Sequence, residues 1–412
     1  MLFLILVCNW LSVPFCFSLK KKKMNKKKPL VSVVVPTKNR YFYLKKLIKL
    51  VDGFGFSEEL ELVIQDNTEN NSEILEFLND NEFLNLQYYH IREALTVGEN
   101  FDLGIRNSTG EYISCIGDDD AVTKYLVDCA KWMKKNKLEG VFPERITFFW
   151  PEAYPGCKGD LYYKSFTGEV KLVNTNEVLE DIFDKGCINT GNLPLLYRGV
   201  VSRECLDKIW ARCGTYFPGA SPDIANAVSI CLVIEKFVVI SAPIVIGGNS
   251  KTGGGGVNFL KYHAQTDFTK LPHLPKNIKE IWCKKIPLIW SNPTIWCESV
   301  VEALNAWGRS DLIEEINFEK LYEYFILYYF HYRKMAFELS NNKMRLLLRS
   351  CFNYSSRYFN GIIYRIKTKL SRKKYSNGRL VVSGFDDFNE VLEHFDKNDY
   401  NFMDIDHVRI KI

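Results

Sequence analysis

The chain has 412 residues, of which 47% are apolar and 25% charged, and a formal net charge of +5. A chain of this make-up can bury a sizeable core, which excludes the disordered and fibrous classes. The charge is uneven: acids dominate from Glu58 to Glu82 and bases crowd Lys20 to Lys28 and Lys343 to Lys374, a pattern that does not indicate a nucleic-acid protein throughout.

Residues 1–28 read as an apolar and Lys-rich leader or a weak membrane anchor. Met1 to Ser18 is apolar and Lys20 to Lys23 follow it, whereas a secretory signal carries its positive charge ahead of the apolar stretch. Under the positive-inside rule this order leaves the rest of the chain cytoplasmic, at the inner face of the membrane if the segment anchors it. Its length is marginal for a span, and Met24 is an alternative start. The twelve cysteines form no C-x-x-C pair, and Cys115, Cys129 and Cys231 sit in apolar runs, which fits a reduced, cytoplasmic compartment.

From Leu30 to Trp150 short β-branched runs alternate with amphipathic stretches. Strands are expected at Val31–Val35, Leu60–Gln65, Leu86–Ile91 and Tyr112–Ile116. Helices are expected at Tyr41–Val51, Ser72–Leu78 (capped by Ser72), Gly98–Asn107 and Tyr125–Lys135. This alternation predicts a mainly parallel sheet covered on both faces, with ligands beyond the carboxyl ends of the strands. Polar clusters fall at those ends: Pro36 to Arg40, Asp66-Asn67, Arg92-Glu93 and Asp118-Asp119-Asp120. After Trp150 the chain is interrupted by Gly and Pro up to about Gly256. It then becomes aromatic and helical from Ile278 to about Lys374, with strand-like Leu380–Ser383 and Val408–Ile412 at the end.

Three adjacent aspartates repel one another, so they stay ionised together only if a cation or many donors hold them. A hard divalent ion, Mn²⁺ or Mg²⁺, is the expected guest, completed by substrate phosphates and water. The plainer reading is a solvated turn or helix start. The cationic loop Pro36–Arg40 ahead of a helix suits phosphate, or is an ordinary turn. Asp66 suits a base or a ribose, or an Asx turn with Asn67 and Thr68. Singly each plain reading is at least as good; their coincidence on one edge favours function.

Val31-Ser32-Val33-Val34-Val35-Pro36-Thr37-Lys38-Asn39-Arg40, Val63-Ile64-Gln65-Asp66-Asn67, Asn100 and Gly110-Glu111-Tyr112-Ile113 leading into the aspartates resemble the family 2 glycosyltransferases of the GT-A fold. The likeness covers about Pro29 to Lys135 and weakens towards Gly256. It implies a GT-A domain over residues 29–260, with a helical, aromatic and basic region over 261–412. Thr37 and Arg40 would lie against uridine or diphosphate, Asp66 against the base and Asp118 against the ribose, and Arg92 and Asn100 are counted with these donor-binding residues. Asp119 and Asp120 are the expected metal ligands, with Asp119 as the principal one. One departure leaves the working pair open: Gly117 stands where the usual D-x-D-D frame has its first aspartate, so the pair is either Asp118 with Asp120 or Asp119 with Asp120.

An inverting transfer also needs a base for the acceptor hydroxyl. Asp223, after Ser221-Pro222 at a helix start, is downstream of the metal motif by about the interval at which this family places its base; a capping aspartate is its plain alternative, and Glu204 and Asp207 are rivals. Ile246 to Thr252 resembles a mobile loop over the donor, with Lys251 near the leaving diphosphate and His263 a further ligand. Cys187 to Asn192 would line an acceptor pocket. The basic, aromatic Lys343–Lys374 stretch fits peripheral contact with an anionic membrane.

The sequence thus predicts a metal-dependent inverting glycosyltransferase that takes a nucleotide sugar, UDP-linked, to a glycan or lipid-linked glycan in surface polysaccharide synthesis. It does not predict a nucleic-acid binder. Two alternatives stand beside it: a non-catalytic, membrane-associated nucleotide-binding scaffold, and a sugar-phosphate nucleotidyltransferase. The absence of glycine from Pro36–Arg40 disfavours the latter.

Overall fold

The computed structural model describes residues 28–56, 58–253, 264, 266–267, 278–353, 375–376 and 378–397. Residues 1–27 of the expected leader or anchor, Gly254 to Gly256, His263, most of the basic stretch after residue 353 and the segment Val408–Ile412 lie outside the described residues.

The first part of the chain alternates as expected: β1 (Val31–Thr37), α1 (Tyr41–Asp52), β2 (Leu60–Asp66), α2 (Ser72–Asn79), β3 (Leu86–His90), α3 (Val97–Asn107), β4 (Tyr112–Cys115), β5 (Ala121–Val122) and α4 (Tyr125–Asn136). One detail differs: Ser72 opens α2 and Asn71 occupies the cap position, with no side-chain capping bond. By contrast, α3 starts on a full capping box between Thr96 and Glu99. Next come β6 (Gly140–Pro143), β7 (Thr147–Phe149), β8 (Asp160–Tyr163), β9 (Val170–Asn174), α5 (Thr175–Asp184), β10 (Val200–Ser202), α6 (Arg203–Cys213), α7 (Pro222–Val233), β11 (Lys236–Ile240) and β12 (Val245–Asn249).

The large sheet runs β3-β2-β1-β4-β10-β6-β11-β9. Its first four strands are parallel, and β10 and β9 enter antiparallel. Alternate residues of the buried strand β1 serve opposite faces, as the period of two requires. Val34 joins a core with Phe101, Ile105, Leu179 and Ile224, while Val33 and Val35 join one with Leu44, Ile48, Ile74 and Leu126. Helices therefore cover both faces, and the polar ends of β1, β2 and β4 are left at one edge.

A second sheet carries the tail strands β13 (Tyr375–Ser376) and β14 (Arg379–Ser383), in the order β13-β14-β8-β7-β12-β5. The mostly helical region after residue 278 includes Asn292–Ala306, Phe318–Tyr328 and Arg333–Leu339. Val300, Leu304 and Leu321 share one core with Ile224 and Val228 of α7, so apolar packing runs across the boundary expected at residue 260.

Glu298, on helix Asn292–Ala306, is 1% exposed in that core. It accepts from the Cys283 N–H at 3.0 Å, and burial pushes its carboxyl up to about 8 from the usual 4.5. The folded state therefore holds this proton more tightly than the unfolded chain, so the stability it contributes is full below pH 4.5 and is lost as pH rises through 8. Glu298→Gln keeps shape and acceptor and should remove that slope, on the order of 5 kcal/mol. In thermal melts the variant should match the parent at pH 4.5 and exceed it at pH 9; parallel curves would refute the assignment.

Candidate active site

The turn after β4 brings the three aspartates against the loop after β1. Thr37 donates through Oγ1 to Asp118 Oδ2 at 2.7 Å. Arg40 bridges two of the aspartates, with Nη1 3.0 Å from Asp118 Oδ1 and Nη2 2.6 Å from Asp119 Oδ2. Asp119 Oδ2 also accepts from the Ser250 hydroxyl at 2.6 Å and from the Ser250 N–H at 3.1 Å. Asp120, fully buried, takes Arg198 Nη2 at 3.0 Å and the N–H groups of Gly248 and Gly117 at 2.6 and 2.8 Å. Two guanidinium groups thus offset part of the triplet's charge within the fold. Burial still lifts the Asp118 carboxyl to about 7, against the opposing pull of Arg40.

The glycines here serve close approach. A Cβ at Gly117 would stand 2.8 Å from the Tyr197 hydroxyl, which gives a packing reason for glycine at this position. At Gly248 a Cβ would fall 1.6 Å from the Asp119 carbonyl oxygen, and at Gly247 it would strike the Arg198 guanidinium at 2.2 Å. The expected mobile loop at Ile246–Thr252 is thereby corrected in its first half. Ile246 to Asn249 belong to the buried strand β12, paired with β5 and β7.

A large open cleft lies along this edge, lined by Thr37, Arg40, Asn100, Asp118, Asp119 and Asp223 among others. Asn100 donates to the Gln65 carbonyl at 3.2 Å, and its buried Oδ1 has no hydrogen-bond partner. Asp223, at the start of α7, accepts on Oδ1 from the Ser221 hydroxyl at 2.7 Å and from the Ile224 N–H at 3.0 Å. Thr190, Gly191 and Asn192 of the suggested acceptor segment line the same cleft.

Other expected residues stand elsewhere. Asp120 is not on the cleft lining. Asp66 is fully buried and forms the Asx turn, accepting from the Thr68 N–H and from the hydroxyls of Tyr41 and Tyr88 at 2.7–2.8 Å. Arg92 is exposed, 3.8 Å from Glu69. Glu204 is exposed and paired with Lys208, and Asp207 is exposed on the same helix. Lys251 is exposed and off the lining.

Sequence reading missed several cleft residues: Arg145, Lys164, Arg198, Glu302 and Arg379. Burial lifts the Glu302 carboxyl, which accepts from the Ala220 N–H at 2.7 Å. The available signal was positional: Arg145, Lys164 and Arg379 each flank or begin a short β run.

Among the described residues no three His, Cys, Asp or Glu are grouped as a metal cage. An ion that draws most ligands from substrate phosphates and water needs no cage. The residues fit such an ion: Asp118 and Asp119 both line the cleft, and the buried Asp118 Oδ1, ion-paired with Arg40 Nη1 at 3.0 Å, makes no hydrogen bond of good geometry.

Among the described residues no helix is long and apolar enough to cross a membrane. Helical residues 343–353 expose Met344, Leu348 and Phe352 at 68, 65 and 75%.

Residues 32–157 match the family described as glycosyl transferase family 2. No curated protein matches the chain. Among solved structures, S. aureus TarS 1-349 in complex with UDP-GlcNAc is 15% identical with a TM-score of 0.46, over 75% of this chain and 89% of that one. A longer S. aureus TarS structure is 17% identical with a TM-score of 0.40, over 53% of this chain and only 36% of that one. The mannosyltransferase PcManGT from Pyrobaculum calidifontis, in complex with GDP-Man and Mn²⁺, is 15% identical with a TM-score of 0.37, over 79% and 88%.

Proposed function

We propose that the protein is an inverting glycosyltransferase of the GT-A type that moves a sugar from a nucleotide sugar, UDP-linked, to a hydroxyl of a glycan acceptor. The carrying observation is the joining of Thr37 and Arg40, from the end of β1, to Asp118 and Asp119 on one wall of a cleft that also holds Asp223. The match of residues 32–157 to glycosyl transferase family 2 supports the same reading.

Arg40 and Thr37 hold the donor diphosphate, and the open Oδ1 of Asn100 accepts from an N–H of the base. Asp66 shapes the base pocket by fixing the Asn67–Thr68 turn. Asp223 takes the proton of the acceptor hydroxyl as that oxygen attacks the anomeric carbon, opposite the departing diphosphate. Asp119, with Asp118 beside it, would hold Mn²⁺ or Mg²⁺, which offsets the charge that grows on the leaving group. Ser250, bonded to Asp119 and Arg40, keeps both groups in place.

Calorimetry of the full chain with UDP tests this reading. Binding should require Mn²⁺ or Mg²⁺ and vanish with excess chelator, and a panel of nucleotide sugars should show metal-dependent turnover of one UDP-sugar. Full turnover under chelation would remove the metal from the scheme. No UDP binding with or without metal would favour the scaffold.

A further inference from the structure

The second sheet carries a group of cations that the donor site does not use. In the register where Thr147 of β7 faces Tyr162 of β8, Arg145 lies two residues before Thr147 and Lys164 two after Tyr162. Leu380 of β14 faces Tyr163, and Arg379 is the next residue towards the same edge. Continued by those steps, the registers set Arg145, Lys164 and Arg379 level on three neighbouring strands, and all three line the cleft. Like charges placed opposite one another destabilise a sheet. Lys164 is relieved by Glu144 at 3.1 Å, but neither Arg145 nor Arg379 has a carboxylate partner among the described residues. Burial, then Arg198 and Arg379 nearby, push the Arg145 guanidinium below its ordinary value against a weaker opposing pull from Asp120, so a net repulsion remains in this cluster.

We propose that Arg145 and Arg379, with Lys164 between them, bind a phosphate group carried by the acceptor, so that the glycan this enzyme extends is a phosphorylated or phosphodiester-linked one. The reading rests on the glycosyltransferase assignment above. Planar guanidinium forks match phosphate oxygens, and two of them flanking an ammonium group suit a phosphate ester. Position separates the Arg379 end of this site from the donor diphosphate, while Arg145, just ahead of the β12 neighbour β7, is near enough to interact with Asp120. Asp120 directly precedes β5, which pairs with β12, and β7, β8 and β14 follow across the sheet. At about 4.8 Å per strand, β14 lies roughly 14 Å beyond β12, further than a diphosphate held by Arg40 and Asp119 extends. Asp223, the proposed base, lines the same cleft, so an acceptor can meet both.

The test titrates inorganic phosphate into the full chain, saturated with UDP and Mg²⁺ at low ionic strength, for the parent, Arg145→Gln/Arg379→Gln and Arg145→Lys/Arg379→Lys. The glutamine pair should weaken phosphate binding by about tenfold or more, with partial recovery in the lysine pair, and should leave UDP affinity within about twofold. Its melting temperature should equal or exceed the parent's, because a repulsion is removed. Unchanged phosphate affinity, or no phosphate binding to the parent, would overturn the site. UDP affinity falling together with phosphate affinity would assign the cluster to the donor and overturn the acceptor role. Failure of the parent to bind UDP would instead strike the enzyme assignment, and the phosphate titration would still score the cluster.

Discussion

Arg40→Met is expected to lower the unfolding free energy by about 3–5 kcal/mol at neutral pH. The Arg40 side chain is 20% exposed and pairs with Asp118 and Asp119, which are 3% and 7% exposed. Methionine keeps an unbranched stem of similar reach and removes the charge. Two adjacent carboxylates are then left in a poorly hydrated site, where one must take a proton. Keeping a carboxyl protonated costs about 1.4 kcal/mol for each pH unit above its ordinary value. The loss should therefore shrink at pH 5 and grow at pH 8. Asp118→Asn in the same chain should restore much of it, because the pair contributes by coupling and the uncompensated charge is gone. If Asp119 and Asp118 hold a divalent ion, Mg²⁺ should raise the melting temperature of Arg40→Met more than that of the parent. Urea unfolding at the two pH values, with and without Mg²⁺, checks each part. A loss below about 1 kcal/mol would mean that the ion pairs seen in the fold contribute no more than exposed ones do.

The first strands and helices were legible because each carries a complete local signal. Val31 to Val35 are all buried β-branched or small residues, and Tyr41 to Asp52 shows an apolar face at helical spacing. The edge that gathers Thr37, Arg40 and Asp118 followed from that alternation alone, since parallel strands point their carboxyl ends one way. Partner choice was not legible. Asp120 looked like a ligand by adjacency to Asp119, yet neighbouring residues in a tight turn point in different directions, and its carboxylate is bound to Arg198, 78 residues onward. Gly247 and Gly248 looked like flexibility because sequence cannot separate a glycine that must move from one that must admit a neighbour's atoms. The cations at 145, 164 and 379 become a group only through strand register, which no local spacing encodes.

Asp223→Asn should leave UDP affinity within about twofold and lower the transfer rate by roughly 10²–10⁴, the usual contribution of a positioned general base. The substitution is narrow. Asp223 Oδ1 already accepts from the Ser221 hydroxyl and the Ile224 N–H, bonds that the amide oxygen of asparagine can keep. The remaining oxygen, Oδ2, is the one available to an acceptor hydroxyl, and it becomes an NH₂ that cannot take a proton. Helix α7 and its Pro222 start should be unaffected. Glu302 is the discriminating control, since it lines the same cleft with a carboxyl lifted by burial. Its Oε2 holds the Ala220 N–H, just ahead of Ser221, which gives it a part in positioning the Asp223 turn. Glu302→Gln should therefore cost less than about tenfold in rate, chiefly through a looser turn. If the two variants exchange phenotypes, with Glu302→Gln inactive and Asp223→Asn near the parent, the base is Glu302 and Asp223 is the capping residue its helix position equally allows.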